Sequence, residues 1–480
     1  MKFWRLTNRI YRTVVVGSGG GFSPRKEVVV GSFRWHYSTL PAQRYTKRIP
    51  WNAPLIELSN RIRHIRDPSA SVIPILDQWI QEVEYIHEDQ LLLLIKNLRF
   101  RKRYAHALEI STWMTAKRHF LPTSPDVAIR LSLISKVHGI EAAENYFDKI
   151  PQHLKSHYVY GTLLNCYASV KSVEKTESVM QRMKDLGHAQ TSLPYNVMLS
   201  LYYQTGNTEK LDYLMQDMEQ NGINYDKHTY KILISAYAAV SDVDGLQKIL
   251  RRMESDSTVV LDWATYAAAA DGCRKIGLLD KTFEMLRITE GLITAHGRGA
   301  AYDSLIRLYA AAGRRDEVLR VWELYKRRVY NRKYVGVIAT LLKLDDLENA
   351  ERVFEEWESR NLWYDIIVPN FLIGAYSRKG LLDKAEALIN RAISNGGKPN
   401  SYTWYYLAMG YVQSNQTSKA VESMKKAMLV CDPSWKSNDK ILASCLDYFR
   451  EEGDTSKLED FFKSLGNHIV TSLGTEGRML

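Results

Sequence analysis

The chain has 480 residues, of which 45% are hydrophobic and 25% are charged. This composition is ordinary for a folded protein and argues against disorder, and no run of about 18 apolar residues indicates a membrane span. The net charge is +11, but residues 1–50 carry ten Lys or Arg and one acid, Glu27, and account for +9 of it. The net charge is therefore weak evidence for nucleic-acid binding. It indicates instead that the N-terminal segment is unusually basic.

The N-terminal segment is basic, nearly free of acids and amphipathic. Its first basic residues alternate with apolar side chains such as Phe3, Trp4 and Leu6, a pattern typical of organelle transit peptides. The run Arg34-Trp35-His36-Tyr37-Ser38-Thr39 resembles plant mitochondrial cleavage sites. We interpret residues 1–37 as a mitochondrial transit peptide and expect the protein in the mitochondrial matrix.

No cofactor or metal is predicted. The glycines after Val14-Val15-Val16 are followed by Phe22 and Pro24, so they lack the helix that a dinucleotide-binding loop requires. None of the four cysteines forms the C-x-x-C pair of a zinc or redox site. They are Cys166, Cys273, Cys431 and Cys445.

Two short helices joined by a turn are predicted between Ser192 and Asp226. Each half carries apolar residues at the spacing of one helix face. These residues are Tyr195, Met198, Leu199 and Tyr202, then Leu211, Leu214, Met215 and Met218. Gly206 is expected to end the first helix in the left-handed conformation. One hairpin of this size cannot bury both apolar stripes, so it must stack on copies of itself.

Copies of this hairpin follow one another along most of the chain. Gly277 and Gly313 lie 36 residues apart, and Gly206 lies 71 residues, or two repeats, before Gly277. The copies span residues 88–123, 124–156, 157–191, 192–226, 227–262, 263–298, 299–330, 331–365, 366–400, 401–438 and 439–466. We therefore predict an all-α fold, a right-handed α-solenoid of about 11–12 helix-turn-helix repeats.

The repeats divide the chain into four parts. Residues 38–87 are interpreted as a lead-in and a degenerate N-terminal capping repeat, which follows the transit peptide at 1–37. The repeat array occupies residues 88–466. Residues 467–480 are polar and are expected to form a flexible C-terminal tail.

The unit length, the Tyr-Asn opening, the central Gly and the closing Pro-Asn resemble the pentatricopeptide repeat. Tyr195-Asn196, Gly206 and Lys398-Pro399-Asn400 carry this resemblance. With its leader, the chain resembles plant mitochondrial P-type pentatricopeptide repeat proteins that lack an editing or nuclease domain. In that family each repeat is similar to a reader of one base of single-stranded RNA.

The resemblance implies which residues read the bases: the residue after the repeat's Tyr and the last residue of the repeat. Asn196 with Asp226 would favour uracil, and Asn370 with Asn400 would favour cytosine. The pair in repeat 227–262, Lys231 with Asp262, departs from the pattern. The pairs of the remaining repeats depart from it as well. These pair Gly161 with Thr191, Ala267 with Arg298, Asp303 with Tyr330 and Val335 with Asp365.

Two basic clusters are open to two interpretations: they hold RNA phosphates, or they are solvated turn and helix surface. They comprise Lys96, Arg99, Arg101, Lys102 and Arg103, and Arg314, Arg315, Lys326, Arg327, Arg328, Arg332 and Lys333.

The resemblance implies RNA binding without catalysis, in the processing, stability or translation of mitochondrial transcripts. A deaminase domain would need His-x-Glu and Cys-x-x-Cys around zinc, and neither follows residue 400. The alternatives are a structural constituent or assembly factor of the mitochondrial ribosome and a protein-interaction solenoid. The expected partners are thus single-stranded RNA, or ribosomal RNA and ribosomal proteins, with no small-molecule substrate.

Overall fold

The structure is a computed structural model. It describes residues 53–430 except 66, 68–69, 83–87, 117–120, 296, 327–330 and 361–363, and also Ile441, Cys445 and Tyr448. Within this part, the chain forms 22 α-helices and a short 3-10 helix, Gln152–Leu154, and no β-strand. The all-α prediction is confirmed. The predicted transit peptide, most of the repeat at 439–466 and the tail at 467–480 lie outside the described residues.

The chain divides into two compact units between Leu278 and Leu279. The described helices of the first unit are α1 Ala53–His64, α2 Ile73–Glu82, α3 Glu88–Phe100, α4 Tyr104–Ala116, α5 Ser124–His138, α6 Ile140–Lys149, α7 His157–Ser169, α8 Val173–Asp185, α9 Ser192–Thr205, α10 Glu209–Gln220, α11 Lys227–Ala239, α12 Val243–Ser255 and α13 Trp263–Lys275. Those of the second unit are α14 Leu279–Gly291, α15 Arg298–Ala311, α16 Arg315–Tyr325, α17 Asn331–Lys343, α18 Leu347–Arg360, α19 Ile367–Arg378, α20 Leu382–Ser394, α21 Ser401–Gln413 and α22 Thr417–Leu429.

Successive hairpins stack in each unit. In the first unit, α9 packs on its own second helix, α10, and on the first helix of the next repeat, α11. In the second unit, α19 packs in the same way on α20 and α21. Contacts between neighbouring repeats are the defining feature of an α-solenoid. Through these contacts, the last residue of a repeat lies beside the first helix of its own repeat. It also lies at the start of the first helix of the next repeat.

From α3 onward, the turn inside each described hairpin contains a residue with a positive φ. Gly206 has φ 77° and ends α9, as predicted. Ser241 and Asp345, which replace glycine at the equivalent turns, have φ 59° and 57°. Lys102, Lys171 and Asn415 behave likewise. Because this conformation is unfavourable for residues with a Cβ, the packing of the two helices imposes it.

A polar contact recurs between the second helix of one repeat and both helices of the next. Glu177 on α8 accepts hydrogen bonds of 2.7 Å from the Tyr202 hydroxyl on α9 and from Lys210 on α10. In the second unit, Glu351 likewise accepts from Tyr376 at 2.6 Å and Lys384 at 3.2 Å. The contact links three helices and partners a tyrosine hydroxyl on a largely buried ring. No local sequence signal indicates this contact, because its residues lie on three different helices.

The aromatic stripe of the first helices is largely buried. Tyr195, Tyr230 and Tyr334 are at most 3% exposed, whereas Tyr266 and Tyr302 are half-buried. The predicted capping repeat is helical: α1 and α2 bury Leu55, Leu58, Leu76 and Trp79 in one cluster with residues of α3 and α4. None of the described helices is long and apolar enough to cross a membrane.

Candidate RNA-binding site

The two predicted reading residues of repeat 192–226 contact each other. The Asn196 Nδ2 atom donates to both carboxylate oxygens of Asp226, at 3.1 and 3.2 Å. Asn196 lies on α9, and Asp226 is the N-cap residue of α11. The side-by-side packing of α9 and α11 therefore brings together two residues that are 30 positions apart.

The helix cap determines how the Asp226 carboxylate is oriented. Its Oδ1 atom accepts from the backbone amides of His228 and Thr229, both at 2.8 Å, as N-cap aspartates do. Its Oδ2 atom accepts from the Ser192 hydroxyl at 2.7 Å. Burial opposes ionisation, but hydrogen bonds from Ser192, the Thr229 amide and Asn196 outweigh it, so the pKa of Asp226 is lowered. Both oxygens of the Asp226 carboxylate therefore accept hydrogen bonds.

A buried threonine completes the arrangement. The Thr229 hydroxyl donates to Asn196 Oδ1 at 2.8 Å and accepts from the Asp226 amide at 3.1 Å. Thr229 is 0% exposed and Asn196 1% exposed. The Asn196 oxygen is therefore engaged inside the protein, and the nitrogen is the amide atom with a hydrogen to spare, because an amide NH₂ has two.

Repeat 366–400 has the same arrangement with an amide cap. Asn370 Nδ2 donates to Asn400 Oδ1 at 3.1 Å, and the Thr403 hydroxyl donates to Asn370 Oδ1 at 2.8 Å. Asn400 Oδ1 also accepts from the Thr403 amide at 3.1 Å. Because the helix terminus holds the oxygen of Asn400, its NH₂ group points away from the cap. The two repeats therefore present opposite groups, an acceptor at Asp226 and a donor at Asn400.

Each pair has an exposed apolar neighbour on the same helix. Leu193 lies three residues before Asn196 and is 47% exposed, and Ile367 lies three residues before Asn370 and is 46% exposed. Residues three apart lie on one helix face. The equivalent residues of the following repeats, His228 and Tyr402, are half-buried rings. These four residues were not predicted from the sequence. Their position three residues before the reading residue would have placed them on the same helix face.

Sequence comparisons support the repeat assignment. The pattern of the PPR repeat family matches residues 190–239, and that of the PPR repeat matches 158–188, 228–257, 300–328 and 368–397. A mitochondrial pentatricopeptide repeat-containing protein of Arabidopsis thaliana, At2g20710, is 42% identical over 414 residues, which are 86% of this chain and 84% of the relative. The chain belongs to the pentatricopeptide repeat family.

Two other similar proteins complete the comparison. The large ribosomal subunit protein mL101 (rPPR4) of Arabidopsis thaliana is 44% identical over 398 residues, which are 82% of this chain and 81% of mL101. The crystal structure of the pentatricopeptide repeat protein PPR10 from maize matches with a TM-score of 0.53 at 16% identity, over 84% of this chain and 62% of PPR10, and shows the same fold. The mitochondrial names of relatives confirm the predicted localisation.

The third predicted pair of this pentatricopeptide repeat protein is an ion pair. Lys231 Nζ lies 3.4 Å from Asp262 Oδ1, and Lys227 Nζ lies 3.1 Å from Asp262 Oδ2. Burial lowers the pKa of Lys231. Asp262 caps α13 through the Thr265 amide at 3.0 Å. The reading position of this repeat is thus occupied by a lysine that faces its own cap carboxylate.

Four further repeats, with Gly161, Ala267, Asp303 and Val335 at the predicted reading position, offer little for base recognition. Ala267 and Val335 are buried and apolar, and Gly161 has no side chain. Asp303 forms an ion pair with Lys333 of the next repeat. Among the predicted reading pairs, amide donors contact their helix-cap partners at Asn196 with Asp226 and at Asn370 with Asn400.

Several members of the basic clusters are engaged within the protein. Arg103 donates to the Ile62 carbonyl at 2.8 Å, and Arg315 to the Leu344 carbonyl at 2.8 Å. Lys326 pairs with Glu323 and Glu356 at 2.7 and 3.1 Å. Arg327 and Arg328 lie outside the described residues. These contacts favour a structural role for much of both clusters.

Within the part of the chain that the structure describes, no group of three or more His, Cys, Asp or Glu is placed to hold a metal ion. Among the described residues, Cys166, Cys273 and Cys445 are buried and form no disulfide bond.

Proposed function

We propose that the protein is a non-catalytic mitochondrial RNA-binding protein that acts in the processing, stability or translation of transcripts. The observation that carries this proposal is the repeated arrangement at Asn196 and Asn370. In both repeats a fixed amide and a fixed helix-cap side chain meet beside an exposed apolar residue. A base stacked on that apolar residue would meet both polar groups with its Watson–Crick edge.

The spare N–H of the reading asparagine suits a pyrimidine. Among the described residues, Asn196 Nδ2 donates only to Asp226, and Asn370 Nδ2 only to Asn400. We propose that one hydrogen of each amide is shared with the cap residue and that the second meets an acceptor on the base. Uracil and cytosine both carry such an acceptor, O2, at the same place on the ring. The asparagine is therefore complementary to both pyrimidines and does not distinguish between them.

The cap side chain distinguishes uracil from cytosine. Uracil carries a hydrogen on N3, whereas N3 of cytosine is an acceptor. Asp226, an acceptor, complements uracil, and the NH₂ group of Asn400, a donor, complements cytosine. An unmatched polar group costs about 1–3 kcal/mol in a buried contact, which corresponds to a clear preference for one pyrimidine.

Selection from a pool of single-stranded RNA with a randomised segment tests this proposal. The full-length protein should enrich uridine at one position and cytidine at another. Asn196→Ala should weaken the uridine preference by about 1–3 kcal/mol and leave the cytidine preference intact, and Asn370→Ala should do the reverse. Enrichment of no base at any position would contradict sequence-specific RNA binding.

A second candidate function is that of a mitochondrial ribosome constituent or assembly factor. Its support is the 44% identity to mL101 together with the small number of repeats that can read a base. Sedimentation of mitochondrial extract, with and without ribonuclease, separates the two functions. Stoichiometric co-migration with a ribosomal subunit would favour this candidate, and a light, ribonuclease-sensitive particle would favour transcript binding.

A further inference from the structure

We infer that Thr229 and Thr403, which lie outside the reading pairs, are positioning residues that restrict Asn196 and Asn370 to pyrimidines. The inference rests on the proposed RNA-binding function. Both threonines are 0% exposed. Each hydroxyl donates to the amide oxygen of the reading asparagine, at 2.8 Å in both repeats, and would act on a base through that asparagine.

The threonine hydroxyl has one hydrogen, and its surroundings direct it. The Thr229 oxygen accepts from the Asp226 amide at 3.1 Å, so its hydrogen points to the other side. There it meets Asn196 Oδ1 at 2.8 Å and Asp226 Oδ1 at 3.1 Å. Thr403 repeats these contacts, accepting from the Asn400 amide at 3.1 Å and donating to Asn370 Oδ1 at 2.8 Å.

This hydroxyl sets which amide atom is free to meet a base. With Oδ1 of Asn196 held by Thr229, only an N–H remains, and it complements O2 of a pyrimidine. Without that hydroxyl the buried oxygen lacks a donor, which favours other side-chain orientations. An amide that turns its oxygen outward accepts from N–H groups on the Watson–Crick edge of guanine or adenine. By keeping the N–H outward, the threonine withholds the acceptor that the N1–H and N2–H groups of guanine would require.

The two repeats should differ in how strongly they depend on the threonine. At Asn196 the partner is a carboxylate, which accepts only and repels the amide oxygen, so Asp226 independently favours the observed orientation. At Asn370 the partner is an amide, which tolerates either orientation of its neighbour. Loss of the hydroxyl should therefore weaken the pyrimidine-over-purine preference more at Asn370 than at Asn196.

Thr265 provides a matched control. It is 0% exposed and occupies the same position on α13. Its hydroxyl donates to the cap residue Asp262 at 2.8 Å. The reading position of that repeat is Lys231, which has no amide to orient. Thr265→Val therefore removes an equivalent buried hydroxyl at a helix cap without affecting a reading asparagine.

Selection from the randomised RNA pool, using full-length Thr229→Val, Thr403→Val and Thr265→Val, tests the inference. Thr403→Val should lower the pyrimidine-over-purine preference at the cytidine position by at least about fivefold, and Thr229→Val should lower it less at the uridine position. Thr229→Ser and Thr403→Ser, which keep the hydroxyl, should retain the wild-type preference. Thr265→Val should lower the melting temperature like the others and leave both preferences unchanged.

The outcomes distinguish this inference from the function on which it rests. If Asn370→Ala abolishes the cytidine preference but Thr403→Val does not reduce it, the threonine has no positioning role. If Thr265→Val relaxes the same preferences, the effect is a general consequence of cap loss, and the inference is also overturned. If the wild-type protein enriches no base, the proposed base recognition itself fails. Should Thr403→Val not fold, the Thr229→Val and Thr229→Ser pair decides the question.

Discussion

Ser192 donates a 2.7 Å hydrogen bond to Oδ2 of Asp226, the carboxylate oxygen that the helix cap leaves unused. In the free protein, the atom proposed to recognise uracil N3 therefore already has a partner. Binding of uridine must displace or share that hydroxyl. The Ser192 hydroxyl therefore competes with the base for Oδ2 of Asp226.

Removal of this competitor should strengthen uridine recognition. Ser192→Ala leaves Oδ2 of Asp226 with only its 3.2 Å contact from Asn196. We expect the affinity for RNA with uridine at that position to rise by about 0.5–1.5 kcal/mol, the net contribution of one hydrogen bond. Titrations with oligonucleotides that differ only at this base measure the effect. Recognition at Asn370 serves as the internal control and should not change. Weaker uridine binding would mean that Ser192 supports the site.

Asp226 should also stabilise the fold in a pH-dependent manner. Its pKa is lowered from the ordinary 3.8, so the unfolded chain binds its proton more readily than the folded protein. The stabilisation is therefore present above pH 3.8 and is lost as the pH falls through the lower pKa of the folded state. Asp226→Asn retains a capping side chain and removes the titration. Its difference in melting temperature from wild type should shrink in acid, and a constant difference would contradict this account.

The contact between Tyr202 and Glu177 should contribute to the stability of the array. Tyr202→Phe removes one hydrogen bond to a charged acceptor and leaves the ring in place, so we expect a loss of about 1–2 kcal/mol. Tyr213→Phe is the matched control, because Tyr213 is 72% exposed and donates no described hydrogen bond. Urea unfolding monitored by circular dichroism measures both variants. Equal stability of the two would show that the contact contributes nothing.

The tyrosine hydroxyl also predicts alkaline sensitivity. Burial, and then the hydrogen bond to Glu177, raise the pKa of Tyr202 above its ordinary value of 10.0. A raised pKa contributes stability that is complete below pH 10.0 and is lost as the pH rises through the higher value of the folded state. Wild type should therefore lose stability in strong alkali faster than Tyr202→Phe, as thermal melts across that range can show.

Substitutions at the left-handed turn residues should change the stability of the protein in opposite directions. Introducing a glycine should raise it, and replacing a glycine should lower it. Ser241 has φ 59°, and Ser241→Gly should stabilise the protein by about 0.5–1 kcal/mol because the strain of the Cβ disappears. Gly206 has φ 77°, and Gly206→Ala should destabilise it by about 1–2 kcal/mol. Thermal unfolding of the two variants beside wild type tests the pair. A destabilised Ser241→Gly variant would show that the serine contributes a contact of its own.

The repeat fold was predictable because its signals are local and recur. Apolar residues such as Leu211 and Met218 keep the helical spacing in one unit after another, and Gly206 marks the turn. The reading pair Asn196 and Asp226 followed from the family resemblance. Their mutual contact did not, because it depends on how α9 packs against α11.

Other features depend on residues that sequence alone does not relate. Thr229 has the pattern of a helix-cap residue, and only the structure brings its hydroxyl to Asn196 Oδ1. Glu177 and Tyr202 are 25 positions apart and share no local motif. Lys231 occupies a predicted reading position, and only the structure shows its ion pair with Asp262.

The central claim is that the outward-facing atom of the helix-cap residue decides between uracil and cytosine. Reciprocal exchange of the two caps tests it most directly, since Asp226→Asn and Asn400→Asp both retain a capping side chain. Selection from the randomised RNA pool should show uridine replaced by cytidine at the Asn196 position in the first variant, and cytidine replaced by uridine at the Asn370 position in the second. Unchanged base preferences in both folded variants would contradict the claim.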